Sequence, residues 1–138
     1  MVKTITVALI GNPNTGKSSI FNSLTGLKQK VANYPGVTVE KKTGFFNINR
    51  TTDVQLIDLP GSYGLNTKSI DQSIVFDLLL NKNNKDFPDL VVIISDVENL
   101  KRNLLLFTQI KDLEIPSILA INMSDQLKLK GIEIDIKK

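Results

Sequence analysis

A strand-like segment that runs directly into a glycine-bearing loop is the feature that constrains this chain most. Residues 3–10, KTITVALI, alternate and then become wholly apolar, which predicts a strand buried on both faces. The next eight residues, Gly11 to Ser18, fit the pattern G-x-x-x-x-G-K-[ST], and we expect a helix over Ser19–Thr25. Glycine lets the backbone bend so that its amides converge on phosphate oxygens. The segment therefore predicts a phosphate-binding loop between a strand and a helix.

Several side chains of this loop have an expected role in binding a nucleotide. The Lys17 ammonium can bridge the β- and γ-phosphates, the Ser18 hydroxyl can ligate Mg²⁺, and the helix N-terminus adds positive potential. The alternative interpretation is a glycine turn followed by a surface lysine. The nucleotide-binding residues predicted in this segment are Gly11, Asn12, Pro13, Asn14, Thr15, Gly16, Lys17, Ser18 and Ser19.

Strand-like and helix-like segments alternate along the rest of the chain. This order predicts an α/β three-layer sandwich with a mostly parallel sheet, of the P-loop NTPase kind, and one antiparallel hairpin at the sheet edge that turns at Asn47–Thr52. We expect a loop over Leu27–Gly36, because it has no period and contains Asn-Tyr-Pro-Gly. The other predicted strands are Val37–Asn47, Asp53–Ile57, Leu90–Ser95 and Ile115–Ile121, and the other predicted helices are Ser69–Asn81, Asn99–Leu113 and a short one at Asp125–Lys130.

Apolar spacing predicts which face of each longer helix meets the sheet. A stripe at three- or four-residue intervals indicates one buried face. The expected stripes are Ile70, Ile74 and Leu78 in the first of these helices, and Leu100, Leu104, Phe107 and Ile110 in the second.

Composition removes several classes of chemistry. The 138 residues contain no cysteine and no histidine, which excludes disulfides, thiol nucleophiles, the Ser-His-Asp triad and the usual zinc sites. The net charge of +3 is small and the basic residues of the chain are scattered, so we expect no nucleic-acid partner. No apolar run approaches the roughly 20 residues of a membrane span, and the N-terminus lacks a signal-peptide pattern. We therefore expect this stretch to be soluble on its own, as one domain over residues 1–138.

A second motif, Asp58-Leu59-Pro60-Gly61, follows the predicted strand Asp53–Ile57. A carboxylate at a strand end can hold Mg²⁺ through a water, and the Gly61 amide can reach a γ-phosphate. A simple strand-terminating turn is the alternative, because Asp, Pro and Gly are common turn residues.

A third motif, Asn122-Met123-Ser124-Asp125, follows the predicted strand Ile115–Ile121. The Asp125 carboxylate can accept hydrogen bonds from N1–H and the exocyclic amine of guanine, a donor pair that adenine lacks. The motif thus predicts guanine recognition, with the Met123 thioether packing on the purine. The alternative is a helix cap, since Asn and Asp favour helix starts.

One threonine is a candidate for a second hydroxyl on Mg²⁺. Thr38 lies in the passage from the predicted loop to the strand, where a mobile segment can respond to a γ-phosphate. Thr43 competes for this role, and Thr38 also fits as an ordinary β-branched strand residue. The residues that the motifs predict to act in hydrolysis are Lys17, Thr38 and Gly61.

Five longer segments of the sequence resemble the cytoplasmic G domain of the ferrous-iron transport protein B (FeoB) family. The resemblance covers the chain from about Ile5 to Lys138. It is carried by GNPNTGKSSIFNSLTG, KVANYPGVTVEKKTG, DLPGSYGLN, DVENLKRNLLL and IPSILAINMSD. It implies a Mg²⁺-dependent switch that binds and slowly hydrolyses GTP, at the N-terminus of a prokaryotic membrane permease that takes up ferrous iron. Residues 31–38 would be switch I and residues 58–69 switch II.

The resemblance also implies what surrounds this domain. The expected partners are guanine nucleotide, a helical regulatory domain and the permease, at the cytoplasmic face of the cell membrane; a homo-oligomer stays open. A complete domain of this kind continues with another strand, a base-contacting loop and a helix. We therefore expect residues 1–138 to be C-terminally incomplete, with apolar surface uncovered and with reduced stability or self-association.

The sequence lacks the usual groups that assist GTP hydrolysis. Ser62 stands where Ras-like enzymes carry a water-orienting Gln, and the two arginines, Arg50 on the predicted hairpin and Arg102 on a predicted helix, are not obvious arginine fingers. The resemblance matches Asn14 to an asparagine that holds an activating K⁺ near the phosphates. Such a cation could neutralise developing charge. The hypothesis is that intrinsic hydrolysis is slow and that K⁺ accelerates it through Asn14.

Three other functions stay open at this point. A sensor that binds guanine nucleotide without hydrolysing it is compatible with Ser62. A ribosome- or tRNA-associated GTPase shares this type of phosphate loop, although such proteins typically carry N-K-x-D rather than Asn122-Met123-x-Asp125. An ATPase is disfavoured by Asp125.

Overall fold

The computed structural model describes residues 1–12, 15–61, 69–122 and 129–131. The strands are β1 (Lys3–Gly11), β2 (Gln29–Asn33), β3 (Glu40–Asn49), β4 (Thr52–Asp58), β5 (Leu90–Asp96) and β6 (Ser117–Asn122). The helices are α1 (Lys17–Thr25), α2 (Ile70–Leu80) and α3 (Leu100–Asp112), and a short 3₁₀ helix, Val97–Asn99, links β5 to α3.

Six strands form one sheet in the order β2-β3-β4-β1-β5-β6. β1 pairs in parallel with both β4 and β5, and β5 pairs in parallel with β6. At the other edge β2, β3 and β4 are antiparallel. The predicted α/β class and mostly parallel sheet are confirmed, and the antiparallel edge has three strands rather than a single hairpin.

Helices cover both faces of the sheet, which gives three layers. On one face, α2 and α3 pack against Ala8, Ile10 and their neighbours. On the other face, Phe21 of α1 packs against Val7, Leu9 and their neighbours. The faces differ because successive strand residues point in opposite directions. β1 is apolar on both faces because it lies at the centre of this sandwich.

The prediction of a loop over Leu27–Gly36 is wrong in part, because β2 occupies Gln29–Asn33. All five β2 residues are exposed at the sheet edge. Pairing with β3 therefore depends on backbone hydrogen bonds, and no apolar alternation marks the strand. The predicted strand Val37–Asn47 is also shifted, since β3 begins only at Glu40.

The predicted helix faces are right at Leu78 of α2 and Ile110 of α3, which are buried, and wrong at Ile70, which is exposed. The other predicted residues, Ile74, Leu100, Leu104 and Phe107, are partly buried. Val75 in α2 and Asn103 and Leu106 in α3 are buried although the predicted stripes did not include them. Both helices have more apolar residues than one face holds, so spacing alone identified the buried face only in part. Of the predicted helix at Asp125–Lys130, residues 125–128 lie outside the described residues.

The described helices include none with both the length and the apolar character needed to cross a membrane.

Candidate functional site

The carboxyl ends of the parallel strands bring the sequence motifs together. Leu9 near the end of β1 is in register with Asp58 at the end of β4, and Asp96 at the end of β5 is in register with Asn122 at the end of β6. Parallel neighbours end at the same edge of a sheet, where ligands of such folds bind. The three predicted motifs thus begin at one edge.

The phosphate loop packs tightly at its first glycine. A Cβ atom on Gly11 would lie 2.8 Å from the main-chain oxygen of Ile94 and 2.9 Å from Thr15 Oγ1, so no larger residue fits. Thr15 Oγ1 donates to the carbonyl oxygen of Asn12 at 3.0 Å, and this buried hydrogen bond joins the two sides of the loop. This close approach explains the first glycine of the motif.

The second glycine sets up the start of α1. Gly16 is the N-cap residue with φ of 84°, a left-handed conformation that glycine adopts without strain. No side chain caps α1, and its first turn carries no acidic residue. The first amides of a helix lack intrahelical partners, and an uncapped N-terminus attracts anions through its dipole. The start of α1 is therefore available to a phosphate group.

A cavity of about 470 Å³ opens at this helix start. It is lined by Asn12, by residues 15–19 and by Gly61, which follows β4. Asp71, an exposed residue in the first turn of α2, also lines it. The structure therefore brings Gly61 to the phosphate loop, and it adds a carboxylate that the sequence motifs did not identify.

Lys17 and Asp58 contact each other across this site. The Lys17 ammonium donates to Asp58 Oδ1 as an ion pair. Their side chains are only 12% and 9% exposed, so water screens the pair weakly. The group expected to bind phosphate and the carboxylate expected to hold a metal are thus partners in this conformation.

Asn122 has a partner that the motif did not predict. Its side-chain Nδ2 donates to the main-chain oxygen of Thr15 at 2.9 Å, so β6 is joined to the phosphate loop. Met123 and Asp125 of the same motif lie outside the described residues, as do Pro13, Asn14 and Ser62.

Thr38 and Thr43 occupy different environments. Thr38 is exposed in the connection between β2 and β3, whereas Thr43 is buried in β3 and in register with Ile57. The connection is closed by hydrogen bonds from the Tyr34 amide to Val39 O at 2.9 Å and from the Val37 amide to Tyr34 O at 3.2 Å. Thr38 is not among the described residues that line the phosphate cavity.

Tyr34, the first residue of this connection, is buried. Its hydroxyl has no hydrogen-bond partner among the residues that the structure describes. Burial, together with the nearby carboxylates of Asp86 and Asp58, raises the pKa of Tyr34 well above its usual value. The phenol is therefore neutral in the folded protein.

The donor atoms of the cavity suit magnesium better than a softer metal. Mg²⁺ prefers hydroxyl, carboxylate and water oxygens. Ser18 in the cavity lining supplies a hydroxyl, and Asp58, which pairs with Lys17 of that lining, supplies a carboxylate beside it. Within the described ranges, no group of three or more acidic side chains that could hold a metal by themselves is present. A bound Mg²⁺ would thus need phosphate oxygens as well.

Comparison with known proteins agrees with this geometry. The family model described as ferrous iron transport protein B matches residues 5–138. The Fe(2+) transporter FeoB of Escherichia coli K12 is 45% identical over 98% of this chain, and the match spans 17% of that transporter. The chain therefore corresponds to about one sixth of the length of the curated relatives that it matches.

Solved structures give the same result. The G domain of the T. maritima FeoB iron transporter has a TM-score of 0.86 and 45% identity, covering 96% of this chain and 78% of that one. The T. maritima cytosolic domain in a GDP form has a TM-score of 0.88 and 47% identity, over 96% and 50% of the two chains. The FeoB G domain of Methanococcus jannaschii has a TM-score of 0.80 and 43% identity, over 98% and 78%. This chain therefore belongs to the ferrous iron transport protein B family and has the fold of its G domains.

Proposed function

We propose that this chain binds GTP and GDP, hydrolyses GTP slowly with Mg²⁺, and acts as the cytoplasmic switch of a ferrous-iron transporter. The observation that carries the proposal is the uncapped start of α1, which opens with Lys17 and Ser18 into a cavity shared with Gly61. The T. maritima FeoB cytosolic domain in its GDP form and a GDP-bound mutant of S. thermophilus NFeoB, which is 42% identical to this chain with a TM-score of 0.84, support the nucleotide class.

The phosphate groups would be held by backbone and lysine. Amides of the loop from Gly11 to Ser19 surround the β-phosphate, Lys17 leaves Asp58 to bridge the β- and γ-phosphates, and the Gly61 amide contacts the γ-phosphate. A nucleotide therefore competes with the ion pair for Lys17. In this scheme, Lys17 releases Asp58 in the same step in which the nucleotide binds.

The magnesium ion would be held by oxygen ligands. Ser18 supplies a hydroxyl, Asp58 acts through a water once Lys17 has left it, and Thr38 adds its hydroxyl after the connection between β2 and β3 has moved. The bound ion would neutralise charge on the β- and γ-phosphates. Thr38 reports the γ-phosphate in this proposal, because it is exposed in a connection whose rearrangement would bring its hydroxyl to the ion.

The base would be recognised at the end of β6. Asn122 and Asp125 contact guanine, and the Met123 thioether packs on the purine. Asn14 would hold a K⁺ ion that accelerates hydrolysis, in place of an arginine finger. In the full-length protein we propose that nucleotide state is passed to a helical domain and to the permease.

A competition titration tests guanine binding. Fluorescent GDP is bound to the chain in Mg²⁺ and K⁺, and GTP and ATP are added as competitors. Displacement by GTP at far lower concentrations than by ATP supports the proposal, whereas equal displacement by ATP overturns the guanine assignment. Lys17→Ala is the control variant, because it removes the phosphate contact and is expected to abolish specific binding.

A hydrolysis assay then separates an enzyme from a sensor. Phosphate release from GTP is measured in K⁺ and in Na⁺ for the wild type and for Asn14→Ala. Faster release in K⁺ that disappears in Asn14→Ala supports the proposed role of K⁺, and equal rates in both salts contradict it. Nucleotide that binds but is never hydrolysed identifies a sensor instead.

A further inference from the structure

We propose that Asn103 is a positioning residue of the phosphate loop, which holds Asn12 from α3 and thereby fixes the loop that receives the phosphates. This inference rests on the proposed nucleotide-binding function. Asn103 lies 91 residues from Asn12 in the chain, in the segment DVENLKRNLLL, to which the sequence motifs assign no chemistry.

The burial of Asn103 is the first observation. It is 2% exposed and lies on the inner face of α3 together with Leu106 and Ile110. An amide side chain is costly to bury unless its polar atoms are paired. A buried amide on this face therefore calls for specific hydrogen-bond partners.

Both ends of the Asn103 amide have such partners. Its Oδ1 accepts a hydrogen bond from Asn12 Nδ2, and its Nδ2 donates to the main-chain oxygen of Asp96 at 3.2 Å. Asn12 follows β1 and Asp96 ends β5, and these two strands are parallel neighbours. Asn103 therefore joins the two chain segments where they leave the sheet.

The loop itself continues this connection. Asn12 is 4% exposed, and its carbonyl oxygen accepts the Thr15 hydroxyl at 3.0 Å. Thr15 immediately precedes Gly16, the N-cap of α1. A shift of Asn12 would therefore move Thr15 and the first amides of α1, which are the groups that would contact phosphate. Asn103 acts on the site through Asn12 and does not line the cavity.

Asn103→Ala removes both hydrogen bonds, and Leu106→Ala is its matched control. Leu106 is buried one turn further along the same face of α3, in the apolar core against the sheet. Both variants lower the melting temperature. Only Asn103→Ala is expected to weaken GDP binding, by roughly tenfold, because one lost hydrogen bond of ordinary strength corresponds to about that factor. The preference for GTP over ATP stays unchanged, since base contacts are separate.

A double-mutant cycle tests whether the effect passes through Asn12. If it does, Asn12→Ala combined with Asn103→Ala loses no more GDP affinity than the weaker-binding single variant. Independent, additive losses would overturn the proposal. An equal loss of affinity in Leu106→Ala would also overturn it, because the effect would then be general destabilisation.

Amide hydrogen exchange judges the proposal without nucleotide. Asn103→Ala is expected to raise exchange at the first hydrogen-bonded amide of α1, that of Ile20, which donates to Gly16 O at 3.2 Å, by roughly tenfold relative to Leu106→Ala. Unchanged exchange overturns the positioning role. If Asn103→Ala does not fold, Asn12→Ala removes the same contact from the loop side and gives the same measurement. If the wild type binds no guanine nucleotide, the proposed function fails while exchange still decides this inference.

Discussion

The side-chain nitrogen of Asn122 donates to the main-chain oxygen of Thr15 at 2.9 Å, so the first residue of the predicted base-recognition motif also anchors the phosphate loop. Under the proposed function, this hydrogen bond would link the base site at the end of β6 to the phosphate loop. The contribution of Asn122 should consequently differ from that of Asp125, whose expected contact is with guanine alone.

Substitutions of Asn122 and Asp125 are predicted to change nucleotide affinity in different ways. Asn122→Ala loses the anchor of Thr15, so affinity for both GTP and ATP should fall, by roughly tenfold each. Asp125→Ala loses only the acceptor for guanine, so GTP affinity should fall while the weak ATP affinity stays constant. Competition against fluorescent GDP analogues measures both. An Asn122→Ala variant that loses GTP affinity but keeps its ATP affinity would contradict the anchoring role.

The Lys17–Asp58 ion pair predicts a stability effect in the absence of nucleotide. Lys17→Met leaves a largely buried carboxylate unpaired, which costs about 3 kcal/mol of unfolding free energy. Adding Asp58→Asn should restore most of that loss, because the unpaired charge is then gone. Urea unfolding of the two single variants and the double variant measures the coupling.

The ion pair between Lys41 and Asp86 is the control for this experiment. It has similar exposure, 17% and 13%, but neither residue lines the phosphate cavity. Lys41→Met should therefore lower stability and leave GDP affinity unchanged, whereas Lys17→Met should lower both. Additive effects of Lys17→Met and Asp58→Asn on stability would show that the pair contributes nothing as a pair.

The sequence was sufficient to locate the phosphate loop and the strand ends, because apolar runs and glycine-bearing motifs are local features of the chain. Gly11 and Asn122 are the last residues of β1 and β6, and Lys17 begins the helix after β1. Parallel strands bring such ends to one edge. The edge strand β2 was missed because exposed residues leave no apolar alternation. Asn103 was missed for a different reason, since a buried polar residue is recognisable only when its partner, 91 residues away, is known.

The buried hydroxyl of Tyr34 predicts a stabilising substitution. The hydroxyl is unpaired among the described residues, so Tyr34→Phe removes a desolvated polar atom while keeping the ring. We expect the unfolding free energy to rise by up to about 1 kcal/mol at neutral pH. A lower unfolding free energy would mean that the hydroxyl has a stabilising partner. Chemical denaturation of both proteins measures the difference.

The same tyrosine predicts a difference at alkaline pH. Because its pKa is raised in the folded state, the folded protein keeps the phenol proton after the unfolded chain has lost it. Stability is therefore fully present below about pH 10 and falls as pH rises further, by at most about 1.4 kcal/mol per pH unit from this group. Tyr34→Phe should lack this component. Parallel pH profiles for both proteins would refute it.

An apolar groove on the α1 side of the sheet predicts how the chain behaves in solution. The groove has a volume of about 320 Å³ and its described lining is wholly apolar, including Leu24 and Ile48, which are 44% and 60% exposed. Apolar surface of this kind favours association or coverage by further chain. We therefore propose that residues 1–138 self-associate, and that a chain extended to the length of the solved G domains melts at a higher temperature.

A lysine substituted into the groove tests whether the apolar lining causes this association. Ile48→Lys puts a charge where a partner would have to desolvate it, so the fraction of monomer in sedimentation experiments should increase. Phe76→Lys is the control, because Phe76 is 45% exposed on α2, against the opposite face of the sheet. It should leave the fraction of monomer unchanged. A wild-type chain that is monomeric at all concentrations, and that melts no lower than the extended chain, would disprove the role given to the groove.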